Sequence, residues 1–199
     1  MITDPEEDYA RGWVPFLGQK IFLDSRPLIP RVETEFWAEK AISAIQGTAR
    51  VLDLFAGSGC IGIAVLAHVP GATVDFGELE ARHFPTIEKS LRENGIDPSH
   101  TRMIQTDVWS NIHDHYDVIL ANPPYLAVLN PGLALEPPEA LLAEDGGFAL
   151  IEKTLAGARD HLNLRGVLWI EHDSAQAERI KGEHHPDQFG RMRYTVFHA

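Results

Sequence analysis

The chain has a single cysteine, Cys60, among its 199 residues. That excludes an intramolecular disulfide framework and any zinc site built on several cysteines of one chain. It fits a reducing compartment, so a cytoplasmic location is expected. Basic residues are scarce too: 17 Lys and Arg stand against 29 Asp and Glu, a formal net charge of −12. Such a surplus opposes nonspecific attraction to a polyphosphate backbone, although a local basic patch stays compatible with it. No run approaches the roughly 20 apolar residues that span a bilayer. The opening, Met1 to Asp8, is acidic where a secretion signal begins basic and turns apolar. No membrane association is expected. Internal repeats and low-complexity tracts are absent as well. What is present is ordinary for a globular chain, 44% hydrophobic and 23% charged residues, and a chain of this length removes roughly 70% of its unfolded surface from water without disulfides or metal.

Residues 1–15 are acidic and lack periodicity, so they read as a loose N-terminal arm anchored by Trp13. Residues 16–199 read as one catalytic domain. Within it, Lys20 to Leu23 and Pro27 to Ile29 flank the turn-prone Asp24-Ser25-Arg26, which predicts a β-hairpin at about residues 16–30. Trp37, Ala41 and Ile45 recur at four-residue spacing, which predicts a helix over Glu33 to Ile45 closed by Gly47. Beyond Gly47, strand and helix signals alternate at short intervals, as in an open, largely parallel α/β sheet. Strands are expected over Arg50 to Phe55, Thr73 to Glu78, Arg102 to Thr106, Tyr116 to Ala121, Val167 to Glu171 and Tyr194 to His198. Helices are expected over Ile61 to Ala67, Arg82 to Asn94, Phe148 to His161 and Ala175 to Lys181. Residues 182–193 leave little room for an edge strand before the last one. The long connection from Pro123 to Gly147 has the length of a functional loop.

Val51-Leu52-Asp53-Leu54-Phe55 runs into Ala56-Gly57-Ser58-Gly59 and then a helix, so the glycines sit on the first strand-to-helix turn. Without side chains they let a ligand approach the backbone, and the helix N-terminus offers free N–H groups to an anion. Gly57, Gly59 and Gly62 satisfy the dinucleotide pattern, and Glu78 ends the second strand, where a carboxylate can accept both hydroxyls of a ribose. This spacing does not separate NAD from S-adenosylmethionine. Asp107 and Val108 follow the third strand, where a carboxylate or neighbouring backbone can read an adenine amino group while Val108 or Trp109 covers the ring; a plain polar strand end reads equally well.

Asn122-Pro123-Pro124-Tyr125 leaves the fourth strand beside the glycine loop. Two prolines fix the backbone direction and remove two donors, so the Asn122 side-chain oxygen and the Pro123 carbonyl become aimed acceptors for a planar NH2 group, with Tyr125 to stack on it. An amide or aryl-amine nitrogen is a poor nucleophile, and acceptors on its hydrogens favour its attack on a methyl group. With these residues, Phe16-Leu17-Gly18, the segment Leu28 to Glu35 and Glu136-Pro137-Pro138-Glu139-Ala140-Leu141 ahead of Gly146-Gly147, the chain resembles the release-factor N5-glutamine methyltransferases of the HemK/PrmC type. Val32 stands where proline is usual, and three departures stand out: an acidic segment of 15 residues where the family carries a helical domain, Phe55-Ala56-Gly57 in place of a more glycine-rich loop opening, and Gly182 to Arg193 where the edge strand before the last one is expected.

The resemblance implies a Rossmann-like class I methyltransferase fold, with helices on both faces of a mostly parallel sheet. It implies S-adenosylmethionine as cofactor, held by Asp53, Phe55, Ala56, Gly57, Ser58, Gly59, Glu78, Asp107, Val108 and Asn122. Asn122 to Tyr125 are the implied catalytic residues, Arg31, Glu33, Glu35 and Glu136 the implied substrate or lid residues, and a peptide chain release factor the implied partner. The alternatives are an adenine-N6 methyltransferase acting on DNA or RNA, against which the charge and the lack of a target-recognition domain count, and a non-catalytic cofactor-binding subunit. His113-Asp114-His115, His172-Asp173 and His184-His185 lack a third or fourth ligand at a set spacing, so no metal is expected. His184 and His185 read as solvated loop residues, and Arg191 and Arg193 as a solvated edge.

Overall fold

The computed structural model describes residues 4–199. Helix α1 (Pro5–Arg11) precedes a hairpin of β1 (Trp13–Phe16) and β2 (Gln19–Phe22), and α2 (Val32–Ala44) leads into the sheet. There follow β3 (Arg50–Leu54), α3 (Cys60–His68), β4 (Thr73–Glu78), α4 (Phe84–Glu93), β5 (Thr101–Gln105) and β6 (Tyr116–Ala121). Then come α5 (Glu144–Gly147), α6 (Ala149–His161), β7 (Leu162–Glu171), β8 (Glu183–Pro186) and β9 (Met192–His198). The seven sheet strands lie in the order β5-β4-β3-β6-β7-β9-β8. The first five are parallel, and β9 runs antiparallel between β7 and β8.

The centre of the sheet is apolar on both faces, with the run Val118 to Ala121 in β6 and only the buried Asp53 and Asp75 interrupting the buried stretches of β3 and β4, because a strand covered on both faces has no solvent side to make polar. Along β3, Val51 enters a core with Ile63, Val74 and Phe76, while Leu52 and Leu54 enter the opposite one with Ile119, Ile151 and Ile170. Connections leave β3 and β6 towards opposite ends of the sheet, so the crevice between their carboxyl ends is a topological switch point, where open α/β sheets take ligands.

The N-terminal arm is not loose over its described part. Asp4 accepts the Glu6 amide at 2.9 Å, Pro5 opens α1, and Gly12 closes it in the left-handed conformation. The Tyr9 hydroxyl then donates to the Pro27 carbonyl at 2.7 Å. Capping without apolar periodicity made this helix, and residues 1–3 of the expected arm lie outside the described residues. The hairpin is displaced for a similar reason: it spans Trp13 to Phe22 and turns on Leu17 and Gly18, both at positive φ, the requirement of a tight two-residue turn. Pro27 to Arg31 is no return strand but an extended strap running to α2. At the other end, β7 begins at Leu162 rather than Val167, the expected helix at Ala175 to Lys181 is a 3-10 turn over Ser174–Arg179, and the edge strand β8 is present at four residues. Among the described residues no helix is long and apolar enough to cross a membrane.

The sheet also explains one glycine. A Cβ on Gly62 of α3 would stand 2.4 Å from the Phe76 ring of β4, and Phe76 is fully buried. Gly62→Ala is therefore expected to destabilise the fold by about 1–3 kcal/mol, read as a lower urea midpoint with unchanged slope.

Candidate active site

The glycine loop emerges from β3 with Phe55 at φ 66°, Gly57 at 51° and Gly59 at 73°. Asp53, one residue before the strand ends, accepts the Gly62 amide at 2.8 Å and so ties β3 to the start of α3. The Gly57 amide donates to Glu78 Oε2 at 2.8 Å and the Glu80 amide to Oε1 at 2.9 Å. Glu78 thus braces the loop while each of its oxygens keeps a lone pair for a ligand. The two loop glycines differ in kind: a Cβ at Gly59 would press on Ile87 at 3.0 Å, whereas at Gly57 the nearest atom is 3.9 Å away. Gly59 is a packing residue, and Gly57 faces open space.

That space is a cleft of about 740 Å³, counted to its open mouth and walled by Phe55, Gly57, Glu78, Asp107, Val108 and Asn122. Val108 is buried at φ 53°, its carbonyl accepting the Thr106 hydroxyl at 3.0 Å, while Asp107 is exposed on the rim. Trp109 does not face the cleft; it stacks on His161 and donates to the Lys153 carbonyl. A second lobe follows Phe55, Ala56, Gly57 and Ser58 under Pro30 and Arg31. The cradle fits an adenosine end in the cleft and a short polar chain in the lobe.

On the far side of Asn122 lies a third cavity, walled by Leu28, Arg31, Asn122, Tyr125, Leu126 and Glu171. Asn122 and Leu28 line all three spaces. Tyr125 is held at both ends: its hydroxyl donates to Glu171 Oε1 at 2.9 Å, and its carbonyl accepts from Gln176 Nε2 at 2.9 Å. Gly147 lies so close to that carbonyl that a Cβ would meet it at 2.0 Å. Glu171, 1% exposed at the end of β7, also accepts the Thr34 hydroxyl and the Trp37 indole N–H, both at 2.7 Å. Burial raises the Glu171 carboxyl above its ordinary value against these donors and Arg193. Burial and the Glu171 charge likewise raise the Tyr125 phenol, so it keeps its proton. No local motif announces Glu171, Gln176 or Thr34; they act across 137 and 51 residues of chain.

The four substrate or lid candidates separate. Glu136, 2% exposed, turns inward, accepts the Ile29 amide at 3.1 Å and pairs with Arg31, fastening the 126–143 loop to the strap. Arg31 therefore lines the third cavity, and Glu136 holds it from behind without reaching the wall. Glu35 sits elsewhere: its carboxylate accepts the Leu17 amide at 2.7 Å and secures the hairpin turn. It is a structural residue, placed near the motif by sequence but pointing away by helical phase. Glu33 is half-exposed on the first turn of α2. Arg193 is no solvated edge, since its side chain is 11% exposed and pairs with Asp187 at 3.2 Å. His184 lies on strand β8 rather than in a loop and contacts Thr195 at 2.8 Å, and His185 stacks on Tyr194. Among the described residues no three His, Cys, Asp or Glu side chains converge on a metal-sized site.

A seven-stranded sheet of this order, with a glycine loop, an acid at the end of the next strand and a ligand cleft at the switch point, is the Rossmann-like fold of class I methyltransferases. The chain belongs to the methyltransferase small domain family, whose model matches residues 39–181. It is 35% identical over 182 residues to a release factor glutamine methyltransferase of Bordetella pertussis, covering 87% of this chain and 66% of that one. It is 32% identical over 181 residues to a protein of the same name from Francisella tularensis, covering 86% and 63%. The chain thus spans a little under two thirds of these relatives' length. Among solved structures, the ribosomal protein L11 methylase of Lactobacillus delbrueckii subsp. bulgaricus matches at TM-score 0.63 and 20% identity, over 87% of this chain and 81% of that one.

One buried acid gives this site a pH signature. Burial pushes the Asp53 carboxyl up from 3.8 to about 8, the Gly62 amide opposing and Glu78 adding to the rise, and its Oδ1 has no partner. Between these values the folded chain holds a proton that the unfolded chain has released, so this group's contribution makes stability fall as pH rises through that window. Asp53→Asn has no proton to lose. Its unfolding free energy, followed by urea titration across the window, is expected to decline less steeply than wild type, by up to about 1.4 kcal/mol per pH unit. Parallel curves would mean that Asp53 is ionised in the folded state.

Proposed function

We propose that the chain transfers a methyl group from S-adenosylmethionine to the side-chain amide nitrogen of a protein glutamine, in a peptide chain release factor, and does so in the cytoplasm. The observation that carries this reading is the position of Asn122 at the junction of the three spaces. The donor's adenosine end suits the cleft, where Glu78 takes the ribose hydroxyls and the Asp107–Val108 turn the adenine. Its methionine end suits the lobe along Phe55, Ala56, Gly57, Ser58 and Gly59. Asp53 holds that loop from beneath, through the Gly62 amide. When bound, S-adenosylmethionine supplies an electrophilic methyl group on a sulfonium sulfur.

The chain's own work is done on the acceptor. Asn122 Oδ1 and the Pro123 carbonyl accept hydrogen bonds from the two N–H groups of the glutamine amide, which favours the charge distribution of an attacking nitrogen and fixes its line of attack. Pro124 stiffens the turn, and Tyr125, anchored by Glu171 and Gln176, offers its ring to the planar amide. Leu28 and the strap cover the junction and keep water from it. The names of the relatives support glutamine as acceptor, and residues 16–199 form the catalytic domain in this reading.

The test incubates the chain with methyl-labelled donor and, separately, a release factor, ribosomal protein, tRNA and DNA. Label is expected on a release-factor glutamine. Label on adenine with none on a release factor would replace the reading by an adenine-N6 activity. Asn122→Ala is expected to bind the demethylated donor within a few-fold of wild type while losing on the order of 100-fold in kcat.

A further inference from the structure

The Asn122 amide can face its cavity with either end, and only the oxygen end accepts hydrogens from a substrate NH2. We propose that Thr34 and Glu171 are positioning residues that dictate this choice, forming a one-directional hydrogen-bond chain that turns the Asn122 oxygen towards the acceptor cavity. The proposal deepens, and rests on, the reading that Asn122 receives the methyl-accepting nitrogen.

The direction of the chain follows from what each group can do. A carboxylate only accepts, and an indole N–H only donates, so Glu171 Oε2 receives Trp37 Nε1–H at 2.7 Å. The same oxygen stands 2.7 Å from Thr34 Oγ1, so the hydroxyl proton of Thr34 is committed to it. Thr34 then has lone pairs alone to offer its other neighbour, the Asn122 amide at 3.4 Å. The nitrogen end can meet those lone pairs; the oxygen end would set acceptor against acceptor. Asn122 Nδ2 therefore turns to Thr34, and Oδ1 is left for the cavity.

The second arm obeys the same rule. A guanidinium only donates, and Arg193 Nη1 lies 3.5 Å from the Tyr125 hydroxyl oxygen, so the Tyr125 proton goes to Glu171 Oε1 at 2.9 Å. Glu171 is thus the sink of donors reaching it from α2 and from the Asn-Pro-Pro-Tyr turn. Burial leaves it no water with which to exchange these partners.

Thr34→Val keeps the shape of the side chain and removes the hydroxyl, and Thr34→Ser restores the hydroxyl in a smaller one. Each is measured for kcat and KM on a release factor, for binding of the demethylated donor and for Tm, and Thr34→Val is repeated in an Asn122→Ala background. The expected result is a fall of about 3- to 10-fold in kcat for Thr34→Val, the size of one orienting hydrogen bond, with donor binding and KM held. Thr34→Ser is expected to return close to wild type, and Thr34→Val to add nothing once Asn122 is alanine. A wild-type rate for Thr34→Val, or an equal fall in both backgrounds, would overturn the proposal while the proposed function stands. An unlabelled release factor with wild-type protein would overturn both.

Discussion

The parallel register between β3 and β6 pairs Leu54 with Ala121, so the loops leaving the two strands start from the same level of the sheet. Phe55 and Asn122 become neighbours although 66 residues, carrying β4, β5, α3 and α4, lie between them; no local feature of either motif brings them together. A slip of one residue would turn each buried side chain of β6 to the opposite face. That is ruled out by burial itself, since Ile119 and Leu120 belong to cores on opposite sides of the sheet. The same packing that stabilises the sheet therefore aligns the donor loop with the acceptor turn. Function is inherited from register.

A chain with a net charge of −12 would be expected to wear its carboxylates outside, yet Asp8, Asp53, Asp75, Glu136, Glu171 and Asp187 are all buried. Removing a carboxylate from water is unfavourable unless donors replace the water. Asp75 accepts from Arg102 and the Tyr116 hydroxyl, and Asp187 from Arg193 and the amides of Phe189 and Arg191. Glu136 and Glu171 do the same for the strap and for Tyr125. Each links segments far apart in sequence or closes a tight turn, so part of the acidic surplus serves as internal fastening rather than as surface charge. Asp8, paired only with Arg11 one turn on, and Asp53, with a single amide partner, each keep an oxygen without a partner, and at Asp53 the raised carboxyl is the consequence.

The parts of this architecture that could be read in advance were those with a local cause. Short extended runs of mostly apolar residues marked β3, β4 and β6, and the glycine and Asn-Pro-Pro-Tyr turns marked the site because their backbone restrictions are written in consecutive residues. Glu171 and Thr34 carried no such mark, because a carboxylate at a strand end or a threonine in a first helical turn is ordinary until the fold sets them beside Asn122. The hairpin was misplaced because Lys20 to Leu23 can pair on either side. The choice fell to Leu17 and Gly18, whose positive φ angles suit a tighter turn than Asp24 to Arg26 would make. Glu35, next in sequence to Thr34, is turned by helical phase towards the hairpin instead.

The strap from Asp24 to Arg31 is held to the site differently from the sheet. Its fastenings come from three directions: Tyr9 of α1 on Pro27, His83 and Thr86 beside α4 on Ser25, and Glu136 of the long loop on Ile29 and Arg31. The bonds on Pro27 and Ser25 are neutral and contribute about 1 kcal/mol each, the two to the buried Glu136 carboxylate are charge-assisted and stronger, and none of the five shares an atom with another. The sheet beneath differs, since its ladders break together. Opening a path over Leu28 into the junction therefore requires local rather than global unfolding. The strap is thus fastened separately from the sheet, and its contacts are independent of the register that sets Asn122 beside Phe55.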